Sequence, residues 1–250
     1  MTENKSLMNS MAILGLLLAI GMSSAAFILG VQAKRAVAGQ QSITVKGLAE
    51  KPIKADYADW TINLSVTDMT QAGALKKLAD ERLLLTAFLA EQGLNSASTQ
   101  VEVESLAPHY DEVFIKDQPR QVQNGFDAYQ NLRIATKDLE KITQANKNLL
   151  QFKAQNRPVT AQAPNYLVSD LEKVKMSLIA DATKNARTRA TEFVKQDNGS
   201  VGVMKSASQG AFYILPVGGD VSDDSYGGVY DKSTIDKIAR VVVTIVYNIE

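Results

Sequence analysis

The segment ITVKGLAEKPIKADYADWTINLSV, residues 43–66, contains two stretches in which apolar and polar residues alternate. Residues 43–47 form the first stretch and residues 60–66 the second. A period of two places successive side chains on opposite faces of a strand, so both stretches predict half-buried strands. Pro52 has no N–H to donate to a β-ladder, and we therefore expect it in the connection between them. The segment is interpreted as a β-hairpin that begins the folded part of the chain.

An apolar segment precedes this hairpin. No charged residue occurs from position 7 to position 33, and residues 11–31 in helical form would span about 30 Å, the thickness of a bilayer core. We predict a short tail at 1–10, a transmembrane signal anchor at 11–33 and a linker at 34–41. Signal peptides have shorter apolar cores of about 7–15 residues, which favours a retained anchor; cleavage near Ala33 or Ala38 is the alternative.

Composition excludes several classes of protein. Lys plus Arg and Asp plus Glu both number 27, so the formal net charge is zero and no basic excess indicates binding to nucleic acid. The chain has no cysteine, which excludes disulfides, thiolate catalysis and zinc–thiolate sites.

The rest of the chain predicts a mixture of helices and strands. We expect one helix ending near Gly93 and another that begins at the N-cap Asp138. Further strands are predicted at 99–106, 129–136, 158–168, 201–208 and 238–249, a polar loop at 107–125, and a mobile loop at 214–234. The apolar positions assigned to the two helices are Leu75, Leu78, Leu85, Phe88 and Leu89 in the first, and Leu139, Ile142, Leu149 and Leu150 in the second.

A third, longer helix is predicted to open with a capping box formed by Ser169 and Glu172 and to end at Gly199. Its apolar residues recur at spacings of three and four: Leu171, Val174, Leu178, Ala182, Ala186, Ala190 and Phe193. The small alanines permit close approach of a sheet or of a second copy of the chain.

Three of these stretches together resemble the SIMPL-domain family, which includes YggE-like periplasmic proteins and the immunogenic periplasmic protein of Brucella. They are ITVKGLAEKPIKADYADWTINL, the helix start YLVSD, and the helix ADATKNARTRATEF followed by Gly199. The resemblance implies an α+β fold of antiparallel sheets packed with long helices over residues 42–250, export across the inner membrane, homo-oligomers and a link to oxidative-stress defence. It implies no catalytic residues. The chain lacks the family's Gly near Phe152, after the second helix.

His109, the only histidine, is the first candidate for chemistry. With Asp111 and Glu112 it has the residue types of a metal site or a general base. Metal sites need three or four ligands and a catalytic histidine needs a positioned partner, so exposure to solvent in a polar loop is the favoured interpretation.

Two further patterns have weak chemical meaning. Asp220, Asp223 and Asp224 have a spacing similar to that of a calcium loop but lack its order and its final glutamate. The pairs Gly218–Gly219 and Gly227–Gly228 lack the strand and helix that flank a phosphate loop. A flexible loop is the favoured interpretation.

Lys184, Arg187 and Arg189 form a basic strip on the long helix. It has the charge to bind phosphates or an acidic partner, but a solvated helix face is favoured. Trp60 is interpreted as a core or subunit-interface residue and not as a platform for ligand stacking.

These observations predict no catalytic, cofactor-binding or metal-binding residue, and no enzyme. We expect a single-pass protein of the bacterial inner membrane with its domain in the periplasm, acting through homo-oligomeric assembly. A binding module for a peptide, lipid or small molecule is the alternative, and an enzyme using carboxylates and His109 is a third possibility.

Overall fold

The computed structural model describes residues 3–38, 41–95, 97–115, 118–219 and 228–250. Within these ranges it contains four helices and nine strands, in mixed α+β order. In chain order the elements are α1 (Glu3–Ala38), β1 (Ser42–Lys54), β2 (Tyr57–Asp68), α2 (Gln71–Glu91), β3 (Thr99–Val101), β4 (Ser105–Ile115), β5 (Gln118–Thr136), α3 (Leu139–Lys153), β6 (Val159–Ala161), β7 (Asn165–Leu167), α4 (Leu171–Lys195), β8 (Val201–Pro216) and β9 (Asp236–Ile249).

Helix α1 contains the apolar segment. The stretch Leu14–Gln32, 19 residues, is long and apolar enough to cross a membrane, and its side chains are exposed in the structure. A helix of this composition with exposed apolar side chains fits a lipid environment. The chain therefore has one candidate N-terminal membrane span, or signal sequence, among the described residues.

The chain divides into two compact units. Unit 1 comprises Met1–Ala49, Ser177–Ala211 and Val241–Glu250, and unit 2 comprises Glu50–Met176 and Phe212–Arg240.

Strands β1 and β2 belong to different sheets, so the predicted hairpin is wrong. β1 lies in a three-stranded sheet of order β1-β9-β8, whereas β2 lies in a six-stranded sheet of order β3-β5-β2-β6, with β4 on β5 and β7 on β2. Each strand does have the predicted alternation of burial. Alternation identifies a strand and its two faces, but it does not identify the neighbouring strand.

Pro52 lies inside β1 and not in a connection, which also corrects the prediction from sequence. β1 is an edge strand, being the first in its sheet. An edge strand has one row of backbone groups outside the ladder, which is why proline is tolerated in edge strands.

The core of unit 2 lies between the six-stranded sheet and helices α2 and α3. The apolar residues of β2 and of β5 point to the same side of the sheet because the strands pair antiparallel in register, Ile62 opposite Leu132. The helices contribute the predicted apolar positions, except that Leu150 is 73% exposed. The buried residues of this core include Trp60, Ile62, Leu64, Leu78, Leu85, Phe88, Leu89, Leu132, Ile134, Ile142, Leu149 and Phe152.

In unit 1 the alanine face of α4 packs on β1. A Cβ added to Gly47 would lie 2.1 Å from the Ala182 carbonyl oxygen and 2.8 Å from the Ala186 Cβ, so the two backbones approach more closely than any larger residue allows. Ala182, Ala186 and Ala190 are fully buried. Val194 completes this face, and the predicted Phe193 is exposed.

Asp138 caps α3 as predicted, accepting a hydrogen bond from the Lys141 N–H. The cap of α4 differs from the prediction. Asp170 accepts from the Lys173 N–H, whereas the Ser169 hydroxyl donates to Asp56 at 2.5 Å. The predicted capping box of Ser169 and Glu172 is therefore wrong, because the capping side chain is that of Asp170, one residue later. Asp56 holds the chain before the helix instead, and the Ser169 hydroxyl is the main cause of its lowered pKa.

Helix α2 is followed by Gly93 with φ 76°, as predicted. Asn156 after α3 has φ 67°, so an asparagine takes the left-handed position for which no glycine was available. Asn198 has the same role after α4, with φ 57°.

Candidate interaction site

Strands β4 and β5 form a long antiparallel ribbon. Its register runs from Ser105 opposite Tyr129 to Ile115 opposite Gln118. The predicted polar loop at 107–125 is therefore wrong, as is the single strand 99–106, which is divided between β3 and β4. The outer half of the ribbon was missed because solvent reaches both of its faces, so its sequence lacks the apolar–polar alternation by which a half-buried strand is recognised.

The outer half of the ribbon has two free edges within the part of the chain that the structure describes. From Tyr110 to Ile115, β4 pairs there with β5 alone. The pairing of β5 with β2 begins at Phe126, so residues 118–123 of β5 pair there with β4 alone. Both edges present unpaired backbone N–H and C=O groups, which are a template for a further strand.

Apolar side chains are exposed on both faces of this outer half. Phe114, 70% exposed, shares one face with Tyr110, and Val113 and Val122 lie on the other face. An isolated two-stranded ribbon is at best marginally stable in water. This ribbon therefore has the backbone edges and the apolar surface of an element that is completed by contact with another chain.

A β-bulge marks the base of the outer half. Pro108 lies opposite Phe126 and Tyr110 opposite Gln123, so His109 faces two residues of β5, Asn124 and Gly125. Gly125 has φ 111°, and a Cβ at this position would lie 2.5 Å from the Asp68 carbonyl oxygen. Only glycine fits this bulge, which lies where the ribbon leaves the sheet.

His109 is held between two carboxylates at the bulge. Its Nδ1 lies 2.9 Å from Asp127 Oδ2 and its Nε2 lies 3.2 Å from Asp111 Oδ1. The network continues outward, since Asn124 donates to Asp111 at 2.5 Å and Thr67 of β2 donates to Asp127 at 2.5 Å. Two acceptors around one imidazole match the doubly protonated ring, which donates from both nitrogens.

The electrostatics follow from this geometry. The hydrogen bond to Asp127 raises the pKa of His109 above its usual 6.5, and Asp111 adds to the effect. Donation from Thr67 lowers the pKa of Asp127, and donation from Asn124 lowers that of Asp111. The pair of His109 with Asp127 joins β4 to β5, and the hydrogen bond from Thr67 to Asp127 joins β5 to β2.

His109 is thus a half-exposed strand residue and not part of an exposed loop. Its second carboxylate partner is Asp127, which is distant in sequence, and not Glu112. Among the described residues no group of three or more histidine and acidic side chains is arranged to hold a metal ion.

The structure also places the remaining candidates from the sequence. Trp60 is buried, 1% exposed, and donates from its indole to the Gln162 carbonyl oxygen at 2.8 Å, which confirms the core interpretation. Arg187 lies over the Tyr247 ring, and Arg189 donates to the Lys46 carbonyl oxygen. These arginines bind their own unit, so the basic strip is not a free patch of charge.

Asp220, Asp223, Asp224 and Gly227, within the predicted mobile loop 214–234, lie outside the described residues. Gly218 and Gly219 form the turn after β8, where the Gly219 N–H donates to the Pro216 carbonyl oxygen.

The outer face of the six-stranded sheet has a polar groove of about 500 Å³, which sequence reasoning did not find. It is lined by Thr61 and Asn63 of β2 and by residues 160–163 and 165. The Asn63 amide donates to Asn131 on the same face. The sequence did contain a signal, namely the polar positions of the β2 alternation. Simple exposure of these positions to solvent explains them equally well.

These features define a class: an α+β domain, carried by one candidate N-terminal membrane span, that presents a β-ribbon. The family described as SIMPL, "Protein of unknown function (DUF541)", matches residues 43–230, more than half of the chain. The chain belongs to the SIMPL family, as the resemblance in sequence predicted.

No curated protein matches the chain. Two solved structures are similar at a low level. De novo designed protein Foldit4 is 14% identical over 42% of this chain and 93% of its own, with TM-score 0.23. An uncharacterized conserved protein from Listeria innocua is 11% identical over 78% of this chain and 91% of its own, also with TM-score 0.23. At TM-scores this low, neither similarity shows a shared fold or a shared function.

Proposed function

We propose that this SIMPL protein is a membrane-anchored, periplasm-facing protein with a non-enzymatic role, and that it acts by assembling with copies of itself through the β4–β5 ribbon. The observation that carries the proposal is the outer half of the ribbon, with two free backbone edges and exposed apolar side chains on both faces. A second ribbon that pairs with the first would satisfy the free backbone groups, and one that packs on it would remove the apolar side chains from water.

A second copy fits this surface better than an unrelated partner does. The outer half has an exposed acidic residue, Glu112, and an exposed basic residue, Arg120, so one ribbon provides both members of an ion pair. Two identical ribbons related by a two-fold axis would make each contact twice. Two-fold symmetry is the commonest symmetry of soluble oligomers.

The periplasmic location rests on the family and not on charge. Lys34 and Arg35 follow the span and Lys5 precedes it, a count that by itself leans weakly towards a cytoplasmic domain. Export, which the family resemblance implies, outweighs so small a difference. The link to oxidative-stress defence has the same source and belongs to the same proposal.

The test is the particle size of the full-length protein extracted in detergent, measured by light scattering and supported by crosslinking in cells. Wild type should form a discrete oligomer, and Phe114→Asp should reduce it to smaller species because it places a charge in the contact. Leu150→Asp is the matched control, since Leu150 is equally exposed but lies on α3. A wild-type protein that stays monomeric over a wide concentration range refutes assembly.

The polar groove supports the alternative of a binding module. Its amides and hydroxyls suit an uncharged polar ligand such as a peptide backbone. A thermal-shift screen of peptides should then find ligands whose stabilisation is lost in Asn63→Ala, while Phe114→Asp leaves it unchanged. A screen without such a ligand leaves assembly as the single proposal.

A further inference from the structure

Four segments of unit 1 meet at the end of the unit where β1 begins. The Ile249 N–H donates to the Gln41 carbonyl oxygen at 3.1 Å, which places the end of β9 beside the start of β1. Ser200 and Glu250 exchange backbone hydrogen bonds of 2.6 and 2.9 Å, which adds the start of β8. The Gly199 N–H donates to the Val194 carbonyl oxygen, which adds the last turn of α4.

The chain keeps this end close to the candidate span. The span ends at Gln32 and α1 continues to Ala38, a rise of about 9 Å over six residues. From Ala38 to Gln41 an extended chain reaches at most about 11 Å. The end of unit 1 therefore lies within about 20 Å of the end of the apolar segment, whichever direction the connection takes.

Phe193 is exposed at this end. It is 64% exposed on the last turn of α4, while its neighbour Val194 fills the core. Two adjacent depressions of about 670 and 640 Å³ flank the ring. Ile43 and Ile249 line the first of them, so the aromatic ring has apolar neighbours.

The charges around Phe193 have no basic excess. The depressions are lined by the basic residues Lys46 and Arg189 and by the acidic residues Glu192, Asp197 and Glu250. A surface that attracted anionic lipid headgroups would need a basic excess. Any contact with a bilayer here therefore depends on apolar insertion.

We propose that this end of unit 1 docks on the membrane surface, with Phe193 inserted at the boundary between headgroups and acyl chains. The inference rests on the retained anchor of the proposed function. Phe is among the side chains that insert at this boundary, and a tether of this length gives the bilayer a high effective concentration next to the ring. Docking of this end would fix the orientation of unit 1 relative to the membrane.

The test uses the full-length protein in lipid nanodiscs, with and without brominated acyl chains, which quench nearby tryptophan. The natural chain has one tryptophan, the buried Trp60, and provides the baseline. Phe193→Trp should lose about half of its additional emission in brominated discs, because interfacial residues lie about 5–10 Å deep. The loss should not increase with the fraction of anionic lipid, because the surface has no basic excess. Asp181→Trp, an exposed position on the same helix of unit 1 and about 18 Å from position 193 along its axis, should remain unquenched.

The outcomes separate the two proposals. Protein that does not co-elute with the discs refutes the retained anchor and this inference with it. If the Phe193→Trp protein co-elutes but its additional emission is unquenched, the docking alone is refuted, and a blue shift of that unquenched emission assigns the ring to a contact between protein chains. Equal quenching at positions 193 and 181 also refutes a specific docked end.

Discussion

The imidazole Nδ1 of His109 lies 2.9 Å from Asp127 Oδ2 across the β-bulge that separates the ribbon from its sheet. Asp127 in turn accepts from Thr67 of β2, so one carboxylate connects three strands. The ribbon is therefore fastened to the sheet by charge at the point where the bulge interrupts the backbone ladder.

The first prediction concerns pH. Because the pKa of His109 is raised above 6.5, its stabilising contribution is complete below that value and is lost as pH rises through the folded-state pKa. Because the pKa values of Asp111 and Asp127 are lowered from 3.8, their contribution is present above that value and is lost on acidification. Protection of the ribbon amides from hydrogen exchange should therefore be greatest between about pH 4 and 6.5.

In the His109→Gln variant, the loss of amide protection at alkaline pH should disappear, whereas the loss at acid pH should remain. NMR titration of the imidazole in the wild-type protein should give a pKa above 6.5. A value no higher than this, or identical alkaline limbs in both proteins, would contradict the network.

The second prediction concerns the bulge. Gly125→Ala requires a side chain at φ 111° and a Cβ 2.5 Å from the Asp68 carbonyl oxygen. The variant should lose about 1–3 kcal/mol of unfolding free energy, the usual cost of a strained backbone position. Gln123→Ala, exposed in the same strand, should change it little. Urea unfolding measures both, and equal stability of the two variants would show that the bulge tolerates a side chain.

The positions of the helices were predictable because their signals are local. Asp138 accepts from an N–H three residues away, and Gly93 takes a positive φ by virtue of having no Cβ. The apolar faces of α2 and of β2 were likewise given by their own periods. These signals do not depend on which other element packs against them.

Sheet membership was not predictable in the same way. The neighbour of β1 is β9, which is distant in sequence, and the general tendency of consecutive strands to pair gave the wrong hairpin. The outer half of the ribbon was missed for a different reason, since neither of its faces packs on a core. Of the candidate site, His109 was visible in the sequence, but its partner Asp127 was not, because only the β4–β5 register brings the two together.

The third prediction concerns the alanine face of α4. Because Ala186 is fully buried against β1, Ala186→Glu should unfold unit 1 and not simply dissociate an oligomer. An unpaired buried charge costs several kcal/mol, on the order of the stability of a small domain. Circular dichroism should show the loss of structure, with the exposed Thr188→Glu as control. A folded but monomeric Ala186→Glu protein would place this face in a subunit contact instead.

The last prediction concerns a buried ion pair in unit 2. The ammonium of Lys237 is fully buried and donates to the Asp231 carbonyl oxygen at 2.6 Å and to its carboxylate at 3.1 Å. Burial would raise the pKa of Asp231, but hydrogen bonds from Thr234, Ser233 and Lys237 outweigh it and hold the pKa well below its usual value. Removing one partner leaves the other charge buried and alone, so Lys237→Ala should destabilise the protein by about 3–5 kcal/mol.

The double variant Lys237→Met with Asp231→Leu removes both charges and should recover part of that loss, as replacement of a whole buried pair often does. Lys54→Ala is the control, because its salt bridge with Asp236 is exposed to solvent and contributes little. Urea unfolding of the three variants decides the matter. A loss for Lys237→Ala no larger than for Lys54→Ala would mean that the pair does not hold the segment between β8 and β9 to the core of unit 2.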